Sequence, residues 1–412
     1  MRYRVGMAVG AVVLFLSGCS GIPGIKDTNG WTPAQRDAFL SIYREDMYAS
    51  ACGLEGLYQQ YQVNKDSEIL TQMLVGYIRN LENSCIDIPA FRAAQSARSS
   101  KGIKTYFDLD QKPIDRASVV AQLKAAESIE EVLAPHIPQN PQFKKLLAYY
   151  KPGDTSEEMR RIRLNIERTK LMPSDGWDTY IEVNVPEFML RFFEGGSTSM
   201  QFAVVTGKPA WQTPIFSSVM KYIVLNPTWT MTSNIVRADL ARRVIRDPGY
   251  LKRHNMKVYN GFGNDAEEID PATIDWKKYA GKDNKTPIPF RVVQGSSSKN
   301  ALGTVKFMFP NRFSVYMHDT QAKSLFKRKS RAFSHGCMRL SRPKDLLTKV
   351  ATGYASTSLA AIEKHQRSHK ISYVKLQQTI PVHVVYQTAY VGSGGLAFFP
   401  DVYGYDKIQR LR

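Results

Sequence analysis

Residues 316–319 read Tyr-Met-His-Asp, and residues 334–339 read Ser-His-Gly-Cys-Met-Arg. A cysteine becomes a strong nucleophile when a nearby base or positive charge lowers its pKa. His318 lies at the end of an alternating strand pattern, and Cys337 follows the next loop. Two such segments can be neighbours in a sheet, which would bring the imidazole next to the thiol. The pattern therefore predicts a cysteine–histidine site with Cys337 as the nucleophile.

The residues just before the cysteine have predicted roles. Gly336 lets the backbone turn closely, and its N–H and that of Cys337 could point at a developing oxyanion. The loop between the two motifs is basic and contains Lys327, Arg328, Lys329 and Arg331. Two interpretations of this charge stay open: it favours the thiolate and attracts a substrate carboxylate, or it belongs to a solvated loop.

Other kinds of site fit the sequence less well. His335 and Cys337 could bind a metal only with a second pair of ligands, and the chain has no His-Glu-x-x-His motif. A papain-like enzyme has its cysteine before its histidine, whereas here His318 comes first. The sequence therefore predicts neither a metal nor any other cofactor.

The formal net charge of +19 indicates either acidic partners or simply a basic, soluble surface. No basic helix, RNA-binding motif or zinc-finger spacing supports nucleic acid as the partner. Anionic lipid or a cell-wall polymer fits the N-terminus better.

The N-terminus resembles a bacterial lipoprotein signal. Two arginines precede an apolar run over residues 5–16, which is too short to span a bilayer. We predict a signal peptide over residues 1–18, cleavage before Cys19 and lipidation of its thiol. Ser20 resembles the residue of lipoproteins sent to the outer membrane, so we expect a lipid anchor on the periplasmic side of that membrane. An uncleaved apolar anchor is the alternative.

Cys52 and Cys85 remain once Cys19 is assigned to lipid and Cys337 to the nucleophile motif. An exported protein meets an oxidising compartment, so these two cysteines are predicted to pair. The alternative is two buried helix thiols that pack as small hydrophobic groups.

The hydrophobic pattern predicts an α+β chain. Residues 19–30 form a tether, residues 31–150 a helical N-terminal domain and residues 151–178 a connecting helix. A mostly β catalytic domain spans residues 179–405, and residues 234–294, where the strand pattern lapses, read as an insertion into it. The alternating segments that predict its strands are residues 180–185, 200–205, 222–225, 305–309, 313–317 and 382–386. The helical domain could be a spacer, a partner-binding module or a wall-binding domain.

The pattern from His318 through the Ser-His-Gly-Cys run to Arg339 resembles the signature of the YkuD-type L,D-transpeptidases. The similarity covers residues 180–405, and its further motifs lie at residues 226–229, 247–251, 300–303, 306–311 and 324–326. It resembles the large Gram-negative branch, whose members carry a capping subdomain inserted in the catalytic domain. The insertion falls where that subdomain would be, whereas the upstream region shows no recognisable peptidoglycan-binding domain.

The resemblance implies a YkuD-like fold and a set of residue roles. Cys337 would be the nucleophile and His318 its base. Tyr316, with the backbone around Gly336 and Cys337, would line the oxyanion hole. Ser334 and His335 would order the nucleophile loop. Arg339 would bind a carboxylate or brace the loop, and Trp229 would help to form a wall of the cleft.

The resemblance also implies a reaction. Peptidoglycan stem peptides would be joined in 3→3 cross-links through a Cys337 thioester with release of D-Ala, and carbapenems would inhibit. The same fold could instead act as a hydrolase, either an L,D-carboxypeptidase or an amidase that releases wall-bound lipoprotein. A non-catalytic envelope anchor is the third possibility. The insertion is expected to fold over the cleft.

Overall fold

The computed structural model describes residues 26–108, 111–263, 265–281, 284–297 and 299–412. The predicted signal peptide and lipidation site, Cys19, lie outside the described residues. Within them, no helix is long and apolar enough to cross a membrane. No group of three His, Cys, Asp or Glu side chains in the same part of the chain is arranged to hold a metal ion.

The upstream part of the chain is helical. Its helices are α1 (Pro33–Arg44), α2 (Glu55–Asn64), α3 (Ser67–Asn83), α4 (Ile88–Ser100), α5 (Arg116–Ala125), α6 (Ile129–Leu133), α7 (Pro141–Leu147) and α8 (Glu157–Lys170). α1 begins with a capping box in which Thr32 and Gln35 exchange side-chain and backbone hydrogen bonds, with Pro33 at the first helical position. Apolar side chains of α1, α3, α5 and α6, including Phe39 and Tyr77, form one buried cluster.

Cys52 and Cys85 are joined in a disulfide in this helical part. The two cysteines are separated by 33 positions in the sequence. Closing a loop of that length in the unfolded chain stabilises the fold by about 3–4 kcal/mol in the chain-entropy picture. Cys337 is the free cysteine of the described residues.

Helix α8 joins the helical part to the rest of the chain through buried charges. Arg168 pairs with Asp406 at 2.7 Å. Lys170 and Glu167 form a fully buried pair at 3.0 Å, and the Lys170 ammonium also donates to the Ser50 hydroxyl at 3.1 Å. Removing one partner of a buried pair leaves an uncompensated charge, so substitution of one of these residues should strongly destabilise the junction.

The downstream part is rich in strands. They are β1 (Tyr180–Asn184), β2 (Met189–Glu194), β3 (Ser197–Gly207), β4 (Phe216–Leu225), β5 (Trp229–Thr230), β6 (Met256–Tyr259), β7 (Glu268–Ile269), β8 (Arg291–Gln294), β9 (Val305–Met308), β10 (Met317–His318), β11 (Ala332–Ser334), β12 (Met338–Leu340), β13 (Ser372–Val385), β14 (Ala389–Gly392) and β15 (Gly395–Phe398). Its helices are α9 (Ser233–Ile235), α10 (Ala241–Arg246), α11 (Tyr250–Arg253), α12 (Pro343–Tyr354), α13 (Leu359–Arg367) and α14 (Tyr405–Ile408).

Nine of these strands form one sheet, in the order β11-β3-β12-β10-β9-β4-β13-β1-β2. β2 also pairs with β3, so the sheet closes on itself. Its apolar faces and helix α12 form the largest buried cluster, which includes Phe307, Met317 and Met338. A helical part followed by a strand-rich part confirms the predicted α+β fold class.

The end of the chain returns to the helical part. Ile86 pairs with Leu411 in an isolated bridge, and the Asp87 N–H donates to the Arg410 carbonyl at 2.8 Å. The predicted catalytic domain stopped at residue 405. The residues after it instead tie the strand-rich part to the region next to the disulfide.

One predicted strand is mostly wrong. The segment 313–317 was expected to be extended, but only Met317–His318 pair in the sheet. The Asn311 side chain bonds the backbone around it and holds a turn, with Ser314 in the left-handed region at φ 56°. Side-chain bonds of this kind compete with ladder formation.

The insertion contains β6, β7 and β8, where no strands were predicted, and β5 lies just before it. β5, β8, β6 and β7 pair in that order into a separate small sheet. Helical residues around Leu240 and Val244 pack on it together with Trp276 and Phe290. The four strands have two to four residues each, which is too short to display an alternating pattern.

Candidate active site

Strands β10 and β12 bring the two sequence motifs side by side. They pair in parallel, with Met317 opposite Met338 and His318 opposite Arg339. Both methionines are fully buried in the core, and successive side chains of a strand point to opposite faces. The residues that therefore share the other face are Tyr316, His318, Cys337 and Arg339.

This face is the floor of a cavity of about 1090 Å³. The insertion supplies part of its wall, through Asp239, Tyr250 and Met256 among others. The predicted site residues that line the cavity are Tyr316, His318, Ser334, His335, Gly336, Cys337, Arg339 and Trp229. The fold thus gathers in one place residues that the sequence spreads over three segments.

His318 is a neutral base held by the backbone. Its Nδ1 is hydrogen-bonded to the Asp319 carbonyl, which can only accept, so Nδ1 carries the hydrogen and Nε2 keeps a free lone pair. Burial, reinforced by the charge of Arg339, lowers the pKa of His318 to about 3. The imidazole is therefore uncharged at neutral pH.

Asp319 fixes the carbonyl that orients this imidazole. Its carboxylate accepts from the Thr320 N–H at 2.7 Å and the Thr304 N–H at 3.1 Å, and pairs with Lys323 at 2.5 Å. Gly303 lies against it with φ 62°, and a Cβ there would stand 2.1 Å from a carboxylate oxygen. Only glycine fits this approach, which gives a physical reason for the Asn-Ala-Leu-Gly motif.

The thiol of Cys337 is protonated at rest. Burial raises its pKa, although hydrogen bonds from the backbone and hydroxyl of Tyr316 and the charges of Lys306 and Arg339 act in the opposite direction. Lys306 lies opposite His318 on β9, with its ammonium 4.0 Å from the centroid of the Tyr316 ring. A neutral thiol and a neutral imidazole are thus surrounded by groups that stabilise negative charge.

The loop before Cys337 is fixed by hydrogen bonds. The Ser334 hydroxyl donates to the Cys337 carbonyl at 2.6 Å and accepts from the Gly336 N–H at 3.1 Å. Thr213 donates to the Gly336 carbonyl at 2.7 Å, and Gly336 has a φ of 118° that favours glycine. The Gly336 N–H, expected to point at an oxyanion, is bound to Ser334 instead. The Cys337 N–H and the Tyr316 hydroxyl remain as candidate donors.

A family match covers these elements. The sequence profile of the YkuD family, described as the L,D-transpeptidase catalytic domain, matches residues 178–358. Residues 178–358 are therefore similar to the YkuD-type L,D-transpeptidase catalytic domain. The L,D-transpeptidase match begins just before β1 and includes the insertion, both motifs and helix α12.

Individual proteins are also similar to this chain. A Haemophilus influenzae protein named "Putative L,D-transpeptidase" is 31% identical over 248 residues, which is 60% of this chain and 48% of that protein. The chain thus spans about half the length of that relative. An L,D-transpeptidase structure from Mycobacterium smegmatis is 13% identical over 50% of this chain and 58% of its own, with a TM-score of 0.22. An L,D-transpeptidase in complex with imipenem is 14% identical over 50% and 57%, with a TM-score of 0.21.

His335 faces the insertion across the cavity. Its ring meets Trp211 edge-on at 4.1 Å between centroids. Its Nε2 lies 3.3 Å from the Lys208 ammonium and 3.2 Å from an Asp239 carboxylate oxygen. Burial, together with the charge of Lys208, lowers the pKa of His335 to about 4. The ring is therefore neutral at pH 7.

The basic loop does not supply the positive charge of the cavity. Neither Lys327, Arg328, Lys329 nor Arg331 lines the cavity, and Arg331 donates to the Phe188 carbonyl at 3.1 Å instead. These residues match the solvated-loop interpretation. The cations that do line the cavity include Lys104, Lys306 and Arg339.

The cavity residues that had no role in the sequence-based predictions include Lys104, Trp211 and Lys306. Lys306 stands between buried Val305 and Phe307, and a charged residue on an apolar strand is a signal that could have found it. Lys104 and Trp211 carry no comparable signal, because each reaches the cavity only through tertiary pairing.

Proposed function

We propose that this chain is an L,D-transpeptidase that forms 3→3 cross-links between peptidoglycan stem peptides. The observation that carries the proposal is the shared face of β10 and β12. On that face neutral His318 and the Cys337 thiol line one cavity together with Lys306 and Arg339. The match of residues 178–358 to the L,D-transpeptidase catalytic domain supports the same reaction class.

The first half-reaction forms a thioester. The Cys337 sulfur attacks the carbonyl of the third stem residue while His318 Nε2 takes the thiol proton. Negative charge develops on the carbonyl oxygen, where the Tyr316 hydroxyl and the Cys337 N–H donate to it. The carbon–nitrogen bond then breaks, and protonated His318 gives its proton to the departing amine of D-alanine.

The cations beside the thiol stabilise this charge as it develops. Lys306 and Arg339 lie close enough to lower the pKa of Cys337, and burial lowers the pKa of both cations. Neither is in an ion pair with a carboxylate of the described residues. They therefore remain available to the thiolate, the oxyanion or a substrate carboxylate.

The second half-reaction transfers the acyl group. The side-chain amine of a second stem enters the cavity and attacks the thioester carbonyl, while His318 takes its proton. The tetrahedral intermediate expels the Cys337 thiolate, which recovers a proton from His318. The new amide joins the third residues of two stems, and the enzyme returns to its starting state.

Water in place of the amine would turn the same acyl-enzyme into a hydrolase, either a carboxypeptidase or an amidase that frees wall-bound lipoprotein. We propose transfer because the insertion contributes Asp239 and Tyr250 to the cavity wall, and a covered cleft protects a thioester from water. A non-catalytic anchor would not need the His318 and Cys337 pair.

The products distinguish these functions. Purified protein incubated with tetrapeptide muropeptides should give cross-linked dimers, with one D-alanine released for each transfer, measured by mass spectrometry. Tripeptide monomers without dimers would contradict transpeptidation and identify a hydrolase. Unchanged muropeptides would identify an anchor.

We further propose that the enzyme is anchored to the periplasmic side of the outer membrane by lipid on Cys19. The signal-like sequence ending at Cys19 supports this location. Recovery of the mature protein in the soluble fraction after cell lysis would refute it. Carbapenems are the proposed inhibitors, in line with the imipenem complex of a solved L,D-transpeptidase.

A further inference from the structure

A segment of the helical part reaches the rim of the cavity. Residues 103–108, here called the strap, follow α4 and run parallel to residues 210–215 of the L,D-transpeptidase domain. Backbone hydrogen bonds of 2.8–3.0 Å join the two segments, and Lys104 pairs directly with Trp211. The strap therefore places a lysine of the helical part beside the nucleophile loop.

The strap is fixed on its inner side as well. The hydroxyls of Thr105 and Tyr405 are hydrogen-bonded at 2.9 Å in the interior. Phe107 packs edge-on against Phe91 at 5.5 Å and against Tyr405 at 5.4 Å between ring centroids. These contacts set the backbone position of Lys104.

Two ammonium groups flank one indole at this rim. Those of Lys104 and Lys208 lie 5.3 and 5.1 Å from the centroid of the Trp211 ring. Among the described residues, neither ammonium is in an ion pair with a carboxylate. A cation–π contact holds a cation in place without neutralising it, because the indole is uncharged. Neither charge is thus neutralised by a direct ion pair, and the Asp239 carboxylate beside His335 is the acidic group that faces Lys208 across this ring.

The rim lies next to the reacting centre. His335, which contacts both Trp211 and Lys208, stands two residues before Cys337. Two residues of extended chain span about 7 Å. An anion held here is thus close to the carbonyl that Cys337 attacks, which makes the acyl donor its natural source.

We infer that Lys104 and Lys208 form an anion subsite that binds a carboxylate of the acyl-donor peptide. The inference rests on the proposed function in naming a peptide donor. It gives the helical part a role that its sequence left open: it supplies a substrate-binding residue to the L,D-transpeptidase site. The neutral ring of His335 and the indole of Trp211 shape the subsite without adding charge.

The test compares donors that carry or lack single carboxylates. Full-length protein with Cys337→Ala, which cannot consume the donor, is titrated by calorimetry with the tetrapeptide and with three analogues. Each analogue has one carboxylate replaced by a carboxamide. One analogue should bind about tenfold more weakly than the tetrapeptide, because a charge-assisted hydrogen bond is lost. With Lys104→Gln and Lys208→Gln added, the tetrapeptide should bind as weakly as that analogue.

The matched control is Lys101→Gln, the same change at an exposed residue just before the strap, which should leave all four affinities unchanged. If the protein with Lys104→Gln and Lys208→Gln still binds the tetrapeptide more tightly than the weakest analogue by the same factor, the subsite is overturned. Equal losses for the tetrapeptide and all analogues would overturn it too, since they indicate a structural effect. The proposed function and the subsite can fail separately. If binding depends on a carboxylate but the wild-type protein does not convert the donor, the proposed function is refuted and the subsite is supported.

Discussion

Replacing Cys337 with alanine should lower product formation by roughly 10⁴-fold or more, because the acyl group then has no acceptor on the enzyme. The same change should remove the covalent adduct formed with a carbapenem. Cys337 is the free cysteine of the described residues, and Cys52 and Cys85 are held in a disulfide. Intact-mass spectrometry of wild-type and variant protein measures the adduct, and muropeptide analysis measures turnover.

The nucleophile loop should survive this substitution. Ser334 bonds the backbone carbonyl of residue 337 and the N–H of Gly336, and neither bond involves the sulfur. The substitution removes only the hydrogen bonds between the thiol and Tyr316. An unchanged melting temperature would confirm that the variant is folded. A carbapenem adduct that persists in the folded variant would place the nucleophile elsewhere.

Replacing His318 with glutamine should slow carbapenem acylation about 10²–10⁴-fold, the usual effect of losing a general base. The two proteins should also differ in pH dependence. The folded pKa of His318 is lowered to about 3, so in the wild type the base is lost only as the pH falls towards that value. The pKa of Cys337 is raised, so the thiol persists at higher pH. Wild-type acylation should therefore be nearly constant between about pH 5 and 8.

The variant should behave differently because only spontaneously ionised thiolate can react. Its acylation rate should rise about tenfold for each pH unit below the pKa of Cys337. His365→Gln makes the same change on exposed helix α13 and should match the wild type. A wild-type rate that falls below an apparent pKa near 6.5 would mean that His318 is not desolvated as described.

Local sequence was enough to predict the fold class and to single out His318 and Cys337, which the fold brings into one cavity. His318 ends a predicted strand and Cys337 follows a loop, so the sequence predicted that the two segments could be neighbours in a sheet, but not that they pair in parallel. Strands over residues 180–185 and 222–225 were found because each displays alternation or continuous burial. The contacts of Ser334 with the nucleophile loop match the loop-ordering role that family resemblance implied.

Features that depend on long-range packing were missed or misplaced. The loop with Lys327 and Arg328 is a conspicuous charge run, but its cations are not among the residues that line the cavity. Lys306 sits opposite His318 only because β9 pairs with β10. Lys104 comes from the helical part, and nothing in its neighbourhood reveals the pairing with Trp211. Residue types and local spacing do not show which residues pair across distant segments of the chain.

The most direct measurement is detection of the acyl-enzyme. Wild-type protein is mixed with tetrapeptide donor alone, quenched in acid and digested, and the peptides are analysed by mass spectrometry. We expect the peptide that contains Cys337 to gain the mass of the donor minus D-alanine, with an equal amount of D-alanine released. D-alanine release without an adduct on Cys337, or with undiminished yield in Cys337→Ala, would contradict thioester catalysis at this cysteine.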